Sequence, residues 1–197
     1  MKPFILGLTG GTGCGKSTAA HYFKKNGAHI IDADTISRSI MEPGQPAFKE
    51  VTAFFQDVLM PDGTLNRKKL ASIVFHDEKQ LNILNTITHR YIHDEIITII
   101  KKSPASLLVI DAPLLFEANL HLVCDKTLCI LADKALRANR IIKRDALTEA
   151  EALARIGAQK HDDYYKSRCD FFIYNKGSLS DLERSLAAVL KEIFCES

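Results

Sequence analysis

Five short apolar runs punctuate the chain, at 4–9 (FILGLT), 28–32 (AHIID), 107–111 (LLVID), 127–131 (TLCIL) and 170–175 (DFFIYN). They are mostly continuous in apolar character rather than alternating. That is the pattern of strands buried on both faces, as in a parallel sheet covered by helices, so the class is α/β. Helical signals fill the intervals. Thr148 with Glu151 and Ser180 with Glu183 have the spacing of a capping box. Beyond Ser180, the residues Leu182, Leu186, Val189, Leu190 and Ile193 recur on one helical face, which predicts an amphipathic C-terminal helix packed on the sheet. The gaps 33–106 and 132–169 are too long for simple crossovers. Both are expected to hold helical insertions at strand ends, where α/β proteins place substrate-binding parts.

Composition narrows the picture. With 197 residues, 46% hydrophobic and 25% charged, the chain can bury one sizeable core, and the reading is one compact domain with insertions. A net charge of +2 gives no strong attraction to nucleic acid or to an anionic membrane, and neither is expected as a partner. No apolar run has the length of a membrane span. The first apolar run leads into glycines rather than a cleavage site, so it reads as a strand and not as a signal peptide. Cys14, Cys124, Cys129, Cys169 and Cys195 are scattered without a C-x-x-C pair, which suits free thiols in a reducing cytoplasm.

Candidate chemistry starts at residues 7–18, GLTGGTGCGKST, directly after the first apolar run. Gly10, Gly15, Lys16 and Ser17 match G-x-x-x-x-G-K-[ST], with a predicted strand before and a helix after. Such a loop turns successive N–H groups toward phosphate oxygens, Lys16 supplies a cation for the β- and γ-phosphates, and Ser17 offers a hydroxyl to Mg²⁺. A nucleoside triphosphate is implied, but not its use. A GTPase switch would need D-x-x-G and N-K-x-D; no Asp here has Gly three residues later, and NKGS at 175–178 has Ser in the place of the guanine-reading Asp. An ATPase acting on nucleic acid would want a basic, aromatic-rich groove. A small-molecule kinase needs an acceptor site, a carboxylate near the attacking hydroxyl and mobile arginines. Asp32 and Asp34, in DADTISR, end the second predicted strand and share its face if the strand stays extended; the alternative is an acidic pair that caps a following helix. Arg137, Arg140 and Arg144 fall on one helical face, either as phosphate contacts of a lid or as a solvated surface.

These stretches, together with APLLFE at 112–117, RIIKRDALTEAEALARIGAQ at 140–159 and NKGSL at 175–179, resemble the successive motifs of the bacterial dephospho-CoA kinase family, in order and spacing. The resemblance implies a three-layer P-loop kinase fold with a five-stranded parallel sheet. It divides the chain into a core (1–34, 105–136, 170–197), a helical CoA-binding insertion (35–104) and a lid (137–169). It implies ATP-dependent phosphorylation of the ribose 3′-hydroxyl of dephospho-CoA, with ATP as co-substrate and Mg²⁺; another small-molecule or nucleotide kinase, or a P-loop ATPase or GTPase switch, is the alternative. Carried over, Gly11, Thr12, Gly13, Cys14, Gly15, Lys16, Ser17 and Thr18 hold ATP, and Asn175 and Gly177 lie near its adenine. Asp34 is the catalytic carboxylate, and Arg140 and Arg144 are lid arginines. Thr9, Arg38, Pro113, Leu114 and Leu115 serve the acceptor. Ser17 and Asp111 serve the metal, although Asp111 could equally bond the loop backbone at its strand end. Two positions depart from the family pattern: Arg137 stands where Gln is usual, and Arg90 stands where Pro commonly follows His, at the expected start of a helix over 89–100.

Overall fold

The computed structural model describes residues 2–195. The elements in chain order are β1 (Phe4–Thr9), α1 (Lys16–Lys25), β2 (His29–Asp32), α2 (Ala33–Ser39), α3 (Pro46–Phe54), α4 (Arg67–Phe75), α5 (Glu78–Lys102), β3 (Leu107–Asp111), β4 (Lys126–Leu131), α6 (Lys134–Asp145), α7 (Glu149–Gly157), α8 (Asp162–Lys166), β5 (Phe171–Tyr174) and α9 (Leu179–Cys195). A short 3₁₀ turn, Leu120–Val123, precedes β4. The chain forms two compact units, one of residues up to Ile31 and from Pro104 onward, the other Asp32–Ser103. Residues 137–169 therefore belong to the same unit as the sheet. Among the described residues no helix is long and apolar enough to cross a membrane.

The first unit carries the sheet, in the order β2-β3-β1-β4-β5. The pairings of β1 with β3, β1 with β4 and β4 with β5 are parallel, with Leu6 opposite Val109 and Leu8 opposite Leu128. Leu6, Leu8, Val109, Leu128 and Ile130 pack against Ala19, Ala20 and Phe23 of α1 and Leu182, Leu186, Val189 and Ile193 of α9. The opposite face of β4, Cys129 and Leu131, meets Tyr165 of α8. β1, β3 and β4 are thus buried on both faces, as continuous apolar runs predict. The edge strands are not. In β5, Ile173 is buried while Phe172 and Tyr174 are exposed, because an edge strand is covered on one face only.

Two helix starts differ from expectation or sharpen it. The capping box of Thr148 and Glu151 forms at the head of α7. That of Ser180 and Glu183 does not: α9 begins at Leu179, and Ser178 Oγ accepts the amide of Asp181 at 3.4 Å, so the chain turns helical before Ser180 can cap it. α6 and α7 close on each other through Ala138, Ile141, Ala152 and Ile156.

In the second unit α2, α3 and α4 each pack against α5. α5 starts at Glu78, not near 89, capped by Asp77 through the amides of Lys79 (2.9 Å) and Gln80 (3.1 Å). Arg90 lies mid-helix, where proline would break the backbone ladder. Its guanidinium pairs with Glu50 of α3 and lies 4.6 Å from the centre of the Tyr91 ring, while Tyr91 Oη donates to the same Glu50 carboxylate at 2.8 Å. The arginine thus ties α5 to α3.

Candidate active site

β1 delivers the chain at Thr9 into the glycine loop, and α1 resumes at Lys16. Gly15 occupies the position before α1 with φ 105°, a left-handed backbone that favours glycine, and a Cβ there would lie 2.4 Å from Asn175 Nδ2. No side chain caps α1, so the amides of its first turn remain directed at the loop's concavity, the ordinary setting for an anion.

The loop's shape is imposed from outside by donors on its carbonyls. Thr12 O accepts from Arg137 Nε at 2.9 Å and Gly13 O from Arg140 Nη1 at 3.0 Å. Cys14 O accepts from Arg140 Nη1 at 3.2 Å and from Asn175 Nδ2 at 2.8 Å. Three successive carbonyls are thus held toward these donors, the arrangement of loops that nest an anion on their N–H groups, while the Cys14 amide donates back to Gly11 O at 3.2 Å. Asn175 is buried; its own amide donates to Leu131 O at 2.7 Å, and its Oδ1 accepts the Gly177 amide at 3.0 Å. Asn175 therefore braces the loop, and Gly177 (φ 111°) turns the chain beside Leu136.

Lys16 Nζ is paired with Asp111 Oδ1 at the end of β3. Ser17 and Thr18 are exposed on the first turn of α1. Cys14 is buried under the loop, and burial pushes its thiol pKa up despite Lys16, Arg137 and Arg140 nearby, so the thiol stays protonated. Thr9 Oγ1 donates to Pro113 O at 3.2 Å, which fixes the turn after β3; Leu115 is buried there and Leu114 is exposed.

The arginine row splits by burial. Arg137 is 7% exposed. Arg140 is half-buried on the loop, and Arg144 is exposed, paired through Nε (2.7 Å) and Nη2 (2.8 Å) with Asp145. Asp145 also pairs with Arg155 of α7, and these guanidiniums, Arg144 first, hold its carboxyl down at about 2. A uniformly solvated face does not describe the three.

Asp32 and Asp34 do not share a strand face. β2 ends at Asp32, which caps α2: its Oδ1 accepts the amides of Asp34 (2.9 Å) and Thr35 (3.1 Å) and its Oδ2 accepts Thr35 Oγ1 (2.8 Å). Asp34 is exposed in the first helical turn. Residues two apart on a helix point apart, whereas Asp34 and Arg38, four apart, lie on one face. The capping alternative describes Asp32, and the residue that shares a helix face with Asp34 is Arg38. Sequence reasoning gave no role to Gln159, whose side chain bonds Thr12 at 2.9 and 3.1 Å; its place at the end of a motif stretch was the available signal.

A family model described as dephospho-CoA kinase matches residues 4–181. The chain belongs to the dephospho-CoA kinase family. A dephospho-CoA kinase of Lactobacillus johnsonii is 42% identical over 194 residues, covering 96% of this chain and 98% of that protein. A crystal structure from Thermus thermophilus superposes with a TM-score of 0.83 at 32% identity over 98% of each chain. The dephospho-CoA kinase of Campylobacter jejuni gives 0.60 at 26%, again over 98% of each. Family membership supports the P-loop kinase fold and does not favour an ATPase or GTPase switch.

Proposed function

We propose that this chain transfers the γ-phosphoryl group of ATP to the ribose 3′-hydroxyl of dephospho-CoA, giving CoA and ADP, the last step of coenzyme A biosynthesis, and does so in the cytoplasm. The observation that carries the proposal is the braced loop, with three carbonyls held outward and Lys16 at its end, in a chain of this family.

Phosphoryl transfer asks the protein mainly for position and charge. The amides of 13–18 receive the phosphates, and Lys16 leaves Asp111 to meet the β- and γ-oxygens. Asn175 and Gly177 border the adenine. Mg²⁺ suits the donors available: Ser17 Oγ and the Asp111 carboxylate are hard oxygens, and this ion takes one or two protein ligands besides phosphate and water. When bound it neutralises charge between the phosphates.

Asp34 orients the 3′-hydroxyl and accepts its proton as the new bond forms. Arg38, on the same face of α2, and Thr9, Pro113, Leu114 and Leu115 around the turn after β3 serve the acceptor. Residues 137–169 act as a lid, from which Arg140 and Arg144 stabilise the transferring group. The helices within 35–104 form the CoA-binding part.

The test is incubation with Mg²⁺, ATP and dephospho-CoA. CoA and ADP should appear in equal amounts. ATP hydrolysis indifferent to dephospho-CoA overturns the proposal.

A further inference from the structure

Thr12, at the tip of the glycine loop, has all three of its polar groups occupied by two side chains from the helical segment 134–159. Its amide donates to Gln159 Oε1 at 2.9 Å, its carbonyl accepts from Arg137 Nε at 2.9 Å, and its Oγ1 accepts from Gln159 Nε2 at 3.1 Å. Arg137 Nη2 closes the ring by donating to Gln159 Oε1 at 2.6 Å. The orientation of the Gln159 amide is fixed by this company: turned over, its NH₂ would face two other donors.

The backbone around Thr12 is shaped to admit the pair. A Cβ on Gly11 would stand 2.4 Å from Arg137 Nη2 and 3.0 Å from Gln159 Oε1, and one on Gly13 would stand 2.8 Å from the carbonyl oxygen of Arg137. Two glycines of the loop are thus accounted for by the approach of α6, in addition to any phosphate. Arg137 is also a buried cation that makes no ion pair among the described residues. Burying an arginine against neutral oxygens is costly, so a contact kept in that form has to serve geometry. What the guanidinium supplies here is a planar fork that reaches a backbone carbonyl and a side-chain carbonyl at once, which the single ammonium of lysine cannot reproduce.

We propose that Arg137 and Gln159 form a latch on Thr12: two positioning residues that hold the phosphate loop in its anion-binding shape and couple it to the α6–α7 pair. The inference rests on the reading of the loop as the ATP site. Arg137 meets a loop carbonyl rather than its amides, so it shapes the nest from behind. Gln159 lies just past the end of α7, and Arg137 is on α6. One loop residue therefore holds both helices, and a movement of α7 away from the loop must break the bonds to Thr12. Behind the latch a cleft of about 330 Å³, lined among others by Lys134, Ile156, Lys160 and Asp162, borders both side chains.

The test compares Arg137→Met, Arg137→Lys, Gln159→Met and the Arg137→Met/Gln159→Met double variant with the unaltered chain. ATP affinity is measured by calorimetry, kcat and KM are measured for both substrates, and Thr12 amide exchange is followed by NMR. Each single change should weaken ATP binding by roughly tenfold or more, the worth of a charge-assisted or buried hydrogen bond. KM for dephospho-CoA should stay within about twofold. Lysine should do no better than methionine, the double variant should be little worse than either single one, and the Thr12 amide should exchange faster in Gln159→Met.

A lowered melting temperature with unchanged ATP affinity reduces the pair to a structural contact and overturns the latch. Full recovery with lysine, or additive losses, overturns it as well. If the Arg137 variants do not fold, Thr12→Val against Thr12→Ser decides the matter at the loop itself: serine should retain ATP affinity and valine should lose part of it, and equal affinities overturn the latch. Absence of dephospho-CoA turnover in the unaltered chain would refute the proposed function alone, since ATP binding and Thr12 exchange still report on the latch.

Discussion

Lys16 and Asp111, 95 residues apart in sequence, are joined by an ion pair at the adjacent ends of the glycine loop and β3, with side chains only 16% and 14% exposed. In the proposed function Lys16 serves the nucleotide and Asp111 the metal, whereas in the free protein each neutralises the other. A mostly buried pair is strongly destabilised when one partner is removed, because the other charge is left without compensation.

Asp111→Asn is therefore expected to lower the melting temperature of the free protein, to strengthen binding of ATP without Mg²⁺ by releasing Lys16, and to raise the Mg²⁺ concentration needed for turnover. Thermal melts and calorimetry with and without the metal check these three effects. An unchanged magnesium requirement would remove Asp111 from the metal's surroundings.

The helical turn at 32–35 separates two carboxylates that the sequence presents as a pair. Asp32→Ala removes the cap of α2 and should cost about 1 kcal/mol of stability, whereas Asp32→Asn should cost little, since asparagine also caps. Asp34→Asn leaves the cap intact and removes a proton acceptor. It should lower kcat by roughly 10²–10⁴-fold while ATP still binds. Turnover within a few-fold of the unaltered chain for Asp34→Asn would sink the assignment.

The sheet was legible because β1, β3 and β4 are buried on both faces, and that demand writes itself into continuous apolar runs. The glycine loop was legible because a left-handed backbone and close packing leave glycine little competition at positions such as 15. The pairing partners were not. Nothing local to Asn175 says that its amide crosses 161 residues to brace Cys14 O, and nothing local to Arg137 distinguishes it from the exposed Arg144 seven residues on. Both facts depend on which face of α6 meets the loop, a tertiary choice that helical spacing cannot express. The shared strand face expected of Asp32 and Asp34 failed for a related reason: an aspartate at a strand end is equally the first residue of a capped helix, and here the cap won.

Asp145 sets a pH dependence in the α6–α7 connection. Its folded pKa is about 2, below the ordinary 3.8, chiefly because Arg144 bonds the ionised form. A depressed carboxyl stabilises the fold above its unfolded pKa and loses that contribution as the pH falls through the folded value, so the window runs from about pH 4 down to about pH 2. The melting temperatures of the unaltered chain and Asp145→Asn should differ most above pH 4 and converge near pH 2. A difference that stays constant across this range would mean that the carboxylate's charge is not what links α6 to α7.

The last expectation separates the two arginines proposed as lid contacts, Arg140 and Arg144. Arg140 braces the carbonyls of Gly13 and Cys14, so Arg140→Ala should loosen the loop and raise KM for ATP as well as lower kcat. Arg144 touches no loop atom in this structure; its guanidinium is engaged by Asp145 at the exposed end of α6. If it turns from that carboxylate to the transferring phosphoryl group when the lid closes, it interacts more strongly with the transition state than with bound ATP. Arg144→Ala should then lower kcat well beyond any change in ATP affinity. Closure should also protect the amides of 137–169 from hydrogen exchange once both substrates are bound, because it excludes water from a reactive group. Steady-state kinetics of the two variants, with exchange measured on the free and doubly bound protein, check the set. Near-normal turnover of Arg144→Ala together with unchanged exchange would leave Arg144 as a surface partner of Asp145 and place the catalytic cation elsewhere.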